Sequence, residues 1–237
     1  MASQVMSSGL FEKALACVGA AGSLSKHDVE ALSTLNERVE VFSAGAQVQT
    51  ARRERLRLVT SGWTYEARLL PDGRRQIFHY LLPGDLISAR YGAGAARGSL
   101  IALTRLECAE IPPSLLSGAG GERTRLAEGL DRVLDSQMQR TYEAVLRLGQ
   151  FTAQEGMANF LIDLRDRLTK VGLADRFSFR CPLTQEHLAD TLGLSVIHVN
   201  RVLRQLRTEG LLVVKLGQVT FLDPNKMEML AAGNPIE

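Results

Sequence analysis

The stretch from Leu183 to Leu212, LTQEHLADTLGLSVIHVNRVLRQLRTEGLL, constrains the fold more than any other part of the chain. Two short helical patterns meet at Gly193. Gln185 to Thr191 carries apolar Leu188 and Ala189, and Ser195 to Arg207 carries Val199, Val202, Leu203 and Leu206 at helical spacing. Thr184 is placed to cap the first helix, with Glu186 and His187 in its first turn, and Ser195 is placed to cap the second. Ala189 is small where the two helices would cross. Gly193 sits where the turn needs a left-handed backbone. An ordinary helical hairpin has no need of small, glycine and capping residues at these offsets, so the spacing predicts a helix-turn-helix.

With Val199, Val202 and Leu206 turned inward, the second helix presents Val196, Ile197, His198, Asn200, Arg201, Arg204 and Arg207, a set with three arginines and no acid. Such a surface suits the major groove of double-stranded DNA. Arginine pairs bidentately with guanine, asparagine with adenine, and an apolar side chain meets a thymine methyl, each good bidentate pair giving about 1–3 kcal/mol of discrimination. Asn200 and Arg201 are the expected base readers. Arg204 and Arg207 are expected on phosphates, which position the protein without reading sequence. Thr184, Gln185 and Ser195, at the two helix starts, complete the expected DNA-binding set. For any single arginine, a solvated surface role is the plainer alternative.

The order Thr184, Gln185, Glu186, Leu188, Ala189, Gly193, Ser195, Val199, Arg201 resembles the winged-helix DNA-binding domain of the Crp/Fnr regulators. The run Gly210 to Val214, the turn Lys215 to Gln218 and the run Val219 to Leu222 are similar to that family's wing hairpin. The resemblance implies a sequence-specific transcription regulator. One departure matters: the family commonly places a glutamate near the position of Ile197. A carboxylate accepts from cytosine N4, whereas isoleucine offers only apolar contact, so the base preference there should move towards thymine. The run His198 to Arg201, HVNR, resembles that of a subgroup with its own half-site.

Residues Val39 to about Ile111 change texture to short alternating stretches broken by glycine and proline, VEVF, QVQT, RLRLVTSGWTYEARLL, QIFHYLL, DLIS and SLIALTRLECAEI. That pattern predicts a small antiparallel barrel or sandwich. Pro71-Asp72-Gly73-Arg74 is a hairpin turn with Gly73 at a positive backbone angle. Through VTSGW, LLPDGRRQI and LLPGDLIS the region resembles the family's cyclic-nucleotide-binding jelly roll. Members that bind cyclic AMP carry a Gly-Glu pair after the PGD turn and an Arg-Ser or Arg-Thr pair further on. Here Ser88 and Ala89 stand at the first pair, and Arg97 is separated from Ser99 by Gly98. Ala89 cannot accept from a ribose hydroxyl, and a lost buried partner costs about 1–3 kcal/mol, so cyclic AMP is not the expected effector. Ser88, Ala89, Arg97 and Ser99 remain the candidate effector pocket for another ligand, with a plain surface turn the favoured alternative for Arg97 and Ser99. Gly92 to Gly98 is expected to be a loop, and Leu10 to Leu35 one or two short lead-in helices.

Between Gly121 and Leu148, Leu126, Leu130, Val133, Leu134, Met138, Val145 and Leu148 recur at threes and fours. The stripe could pack on its own barrel, but a long helix between two domains is expected to pair with a copy of itself, as the family's central helices do. Gln137 and Thr141 would lie near that seam. After Gly149, Thr152 to Thr169 forms an amphipathic helix supporting the helix-turn-helix, with a hinge near Leu148 to Thr152. The expected class is therefore α+β: an N-terminal antiparallel β jelly roll over residues 1–120, a long dimerisation helix over 121–149 and a C-terminal winged helix-turn-helix over 150–237. A homodimer of this kind would read an inverted repeat, and an activator would also contact RNA polymerase.

Composition agrees without deciding. The chain is 45% hydrophobic and 23% charged, with a net charge of only +2, so the informative charge is local. No run is long enough for a membrane span and the start lacks a signal pattern, so a cytoplasmic location is expected. Cys17, Cys108 and Cys181 give no disulfide or zinc spacing, and one N-terminal cysteine does not make an iron–sulfur site of the Fnr type. No cofactor is expected. Cys181 would sense oxidants if its pKa were depressed, the alternative being an inert residue at a domain edge. Four histidines without metal spacing, and no nucleophile elbow or phosphate loop, argue against an enzyme. A ligand-binding or interaction module whose helix-turn-helix contacts protein is the other class left open, because Val196 and Ile197 are apolar.

Overall fold

The computed structural model describes residues 39–48, 56–88, 98–116 and 125–234. The expected lead-in helices, Cys17, the Gly92–Arg97 part of the expected loop and two of the effector-pocket residues, Ala89 and Arg97, lie outside them. Two compact units result, one containing residues 1–68 and 79–140, the other 69–78 and 141–237. The sequence pattern places a boundary at Gly149. The division falls inside the long helix, and the tip of one barrel hairpin groups with the C-terminal half.

In the first unit, β1 (Val39–Phe42), β7 (Leu106–Ile111), β2 (Leu56–Ser61) and β5 (Leu86–Ile87) form one antiparallel sheet in the order β1-β7-β2-β5. A second sheet runs β4-β3-β6, from β3 (Thr64–Leu69), β4 (Arg75–Leu81) and β6 (Ser99–Ala102). Alternation along the strands sends neighbouring side chains to opposite faces. Val59, Ile87 and Cys108 face a core shared with Leu81, Leu100 and Ala102 of the second sheet. Leu58, Leu86 and Ala109, one residue away, face the other side, where α1 (Arg125–Gly149) covers them.

That covering corrects the expected dimer seam. Leu126, Leu130 and Val133 are buried in the cluster with Leu58, Leu86, Ala109 and Ile111, and Leu134 packs against it. The first half of the stripe therefore packs on its own barrel. Gln137, expected near the seam, is also turned to the barrel: it is buried, its amide donates to Leu86 O at 3.0 Å and accepts from Leu86 N at 2.8 Å, closing the edge of β5. Arg140 joins it by an ion pair to Asp85 at 2.6 Å, while the other Asp85 oxygen takes the Leu82 N–H at 2.8 Å. Met138, Val145 and Leu148 are exposed, and so are Tyr142 and Leu146, which the sequence pattern did not single out.

In the second unit the end of α1 leads to α2 (Ala153–Lys170), which opens on a capping box: the Thr152 hydroxyl accepts from Glu155 N, and the Glu155 carboxylate takes Thr152 N at 2.7 Å. Met157, Phe160, Leu161, Leu164 and Leu168 are buried along its inner face. Then follow β8 (Ser178–Arg180), α3 (Gln185–Leu192), α4 (Val196–Thr208), β9 (Leu212–Lys215), β10 (Gln218–Phe221) and α5 (Pro224–Ala231). The sheet order β8-β10-β9 makes β9 and β10 a wing hairpin, with β8 on its far edge. Among the described residues no helix is long and apolar enough to cross a membrane.

Candidate nucleic-acid interface

The pair α3–α4 is built by the local signals of the sequence. Thr184 caps α3 reciprocally with His187: its hydroxyl accepts from His187 N at 3.3 Å, and His187 Nδ1 takes Thr184 N at 3.2 Å. An imidazole fills the place usually held by Glu or Gln in such a box. Gly193 ends α3 with φ 64°, its N–H donating to Ala189 O, and the side chain of Leu148 lies over the turn. Ser195 accepts from His198 N at 3.2 Å and starts α4.

Helix α4 has two distinct faces. Val199, Val202 and Leu206 are buried at no more than 2% exposure. Ile197, Asn200, Arg201 and Arg204 follow the i, i+3, i+4, i+7 pattern and lie on one exposed face, with Ile197 83% exposed. Val196 and Arg207 are exposed at its margins and His198 is half-buried. Gln185 from α3 joins Asn200, Arg204 and Arg207 along a groove of about 280 Å³ floored by Leu188 and Leu203. Leu212 and Val214 of the wing form its far wall. From Thr191 to Leu222 the cations are Arg201, Arg204, Arg207 and Lys215, against the single acid Glu209, whose carboxylate is held by Gln205 at 3.0 Å.

Behind this face, Arg75 from the tip of the β3–β4 hairpin pairs with Asp190 of α3 at 2.6 Å, and Gln76 donates to Thr191 O at 3.3 Å. Burial and the Arg75 guanidinium hold the His187 pKa below its usual value, against the pull of Asp190 and Glu186. The end of α1 is anchored in the same unit by Arg147, which donates twice to Asn159 Oδ1, at 3.0 and 2.8 Å, over the Phe160 ring. Arg165 of α2 bonds Glu228 of α5 at 2.9 Å. Neither arginine was singled out by the sequence, because their partners are remote in the chain.

Other expected sites fare differently. Cys181 is buried and its thiol is pushed up to about 11 by burial, the opposite of the depressed pKa that oxidant sensing needs. Its backbone N–H donates to Gly217 O at 2.8 Å, a structural role beside the wing. Of the effector-pocket residues that are described, Ser88 is buried just after β5 and Ser99 is exposed at the start of β6.

The Crp-like helix-turn-helix domain model matches residues 157–230. A nitrogen fixation regulation protein FixK of Bradyrhizobium diazoefficiens is 30% identical over 166 residues, covering 70% of this chain and 69% of the relative. The chain belongs to the Crp/Fnr family. The fumarate and nitrate reduction regulatory protein of Escherichia coli K12 is 26% identical over 211 residues, 88% of this chain and 84% of that protein. The solved structure of FixK2 from Bradyrhizobium japonicum superposes with a TM-score of 0.67 at 24% identity, over 84% of this chain and 98% of that one, and so shares the fold. Family membership makes the α3–α4 unit the DNA-binding element of a sequence-specific Crp/Fnr transcription regulator. The protein-contact alternative is not favoured.

Proposed function

We propose that this Crp/Fnr regulator works as a cytoplasmic homodimer that reads an inverted repeat without cyclic AMP, using Asn200, Arg201 and Ile197 as base readers. The observation that carries the reading is the face of α4, where these three residues and Arg204 stand together, exposed, over a fully apolar inner face. Thr184, Gln185, Ser195 and Val196 border that face, and Arg204 and Arg207 bind flanking phosphates. Pairing of the exposed Met138, Tyr142 and Val145 on α1 with their copies would bring two such faces to successive major grooves, about 34 Å apart. Ala89 supplies no carboxylate for a ribose hydroxyl, which argues against cyclic AMP as the signal. An effector of other chemistry would act by shifting the dimer between DNA-competent and incompetent arrangements.

The test separates base reading from backbone binding. Arg201→Ala should flatten the preference among half-site sequences, whereas Arg204→Ala should weaken all sequences about equally. Retained sequence preference in Arg201→Ala removes Arg201 from the base readers.

A further inference from the structure

Asp190 stands where a helix does not favour an acid. It lies in the last turn of α3, beside the carbonyls at the negative end of the helix dipole, just before the turn at Gly193. Its place is explained by a residue 115 positions away in the chain: Arg75 Nε donates to Asp190 Oδ2 at 2.6 Å. The next strand residue, Gln76, donates to the carbonyl of the next helix residue, Thr191, at 3.3 Å. Two consecutive residues of β4 therefore hold two consecutive residues at the end of α3. The Arg75 and Asp190 side chains are 28% and 25% exposed, so the pair is a charge-assisted bond largely out of water and not a solvated surface contact.

The hairpin is built to present this contact. Its turn closes through Gly73 N to Leu70 O at 3.0 Å and Leu70 N to Arg74 O at 2.8 Å. Asp72 takes the Arg74 backbone N–H at 3.1 Å and its Nε at 2.8 Å, which folds Arg74 onto the turn and leaves Arg75 to reach α3. From Arg75 the strand β4 runs unbroken to Leu81, whose side chain lies in the barrel core. On the other side of the contact, α3 does not move without α4. Gly193 N and Leu194 N both return to Ala189 O, and Leu188, Ala189 and Leu192 are buried. What fixes the end of α3 fixes the direction of the reading face of α4.

We propose that Arg75 and Gln76 are positioning residues for DNA reading: by holding the end of α3 they set the angle of α4, and with it the half-site separation that a dimer accepts. Neither touches a base in this role. Half-site separation is a geometric property of the two recognition helices, so an angle held at each helix becomes a spacing preference of the pair. The assignment rests on the dimeric DNA reading above and names what limits its spacing.

Charge reversal tests it. Arg75→Glu, Asp190→Arg and the double variant, all full-length, are compared with the wild type on four duplexes. These are the inverted repeat, the same repeat with its spacer one base pair longer or one shorter, and a single half-site. The wild type should favour the native spacer. Each single reversal sets like charges together at the end of α3 and should cut that preference roughly tenfold, with affinity for the single half-site staying within about twofold. The double variant, which restores an opposite pair, should recover most of the preference. Arg75→Met, similar in reach and without charge, gives the same reading if a reversed variant does not fold. A contact that only stabilises the fold behaves otherwise, lowering the melting temperature and the affinity for all four duplexes alike. That result overturns the proposal, as does an unchanged spacing preference in the single variants, or a double variant no better than either. A wild type that binds the repeats without any spacing preference overturns it too, with DNA reading left standing. If the wild type binds none of the duplexes, the DNA-reading function fails and the assignment with it.

Discussion

Ile197→Glu is the substitution that most sharply probes base reading. Ile197 stands 83% exposed at the front of α4, so almost its whole side chain is available to the groove. Fully burying an isoleucine is worth about 1.5–3 kcal/mol, and contact with a thymine methyl would cover about half of it, roughly 1 kcal/mol. Glutamate loses that contact and sets a carboxylate against the O4 acceptor of thymine, an unpaired polar group costing about 1–3 kcal/mol more. The total, about 2–4 kcal/mol, is a loss of at least roughly thirtyfold per half-site on a thymine-bearing sequence. Facing cytosine, the same carboxylate accepts from N4 and recovers about 1–3 kcal/mol. The assay is competition binding among duplexes that carry each base pair at every half-site position, with wild type and variant in parallel at one stated salt concentration. One position should switch from thymine to cytosine. An unchanged base ranking at every position would refute the placement of Ile197 in the groove.

Acid should weaken the α3 cap. The His187 pKa is held below 6.5, so the neutral ring's contribution is complete above pH 6.5 and is lost as pH falls towards the lowered value. Protonation removes the Nδ1 lone pair that takes Thr184 N; DNA affinity should fall in that window, and a His187→Gln variant should not show the fall. Arg75→Ala should raise the His187 pKa, read by NMR titration, since the Arg75 charge is among the causes that lower it. Gly193→Ala and Gly210→Ala both place alanine at a left-handed position, at about 1–2 kcal/mol each. Only at Gly193 would the new methyl also meet Leu148 Cδ2 at 3.3 Å, so urea denaturation should find Gly193→Ala the less stable of the two. Arg207→Ala should reduce the slope of log affinity against log salt by about 1.8 if each protomer of a dimer loses one phosphate contact.

The helix-turn-helix was legible in the sequence because its determinants are local. Thr184, Gly193 and Ser195 act on backbone groups within a few residues, and the structure finds each where its chemistry places it. The strands and the Asp72–Gly73 turn were legible for the same reason, Gly73 having φ 88° and Asp72 taking Arg74 N at 3.1 Å. The stripe on α1 was ambiguous because a repeat of threes and fours reports that a face is apolar, without saying what covers it. Leu126 and Leu130 meet strands distant in sequence, as Gln137 meets Leu86. Arg165 could not be read, since its partner Glu228 lies on another element, and Cys181 was left between a reactive and an inert thiol because the burial that makes it inert is set by other elements. The grouping of the 69–78 hairpin with the DNA-binding half is equally non-local.

The most direct test of the account is selection of binding sites from random double-stranded DNA by the purified, ligand-free chain. The account predicts enrichment of an inverted repeat whose half-site centres lie one helical turn apart, with a thymine at the position that Ile197→Glu converts to cytosine. Enrichment of a single unrepeated half-site would contradict the dimer, and no enrichment with or without added effectors would contradict DNA reading by α4.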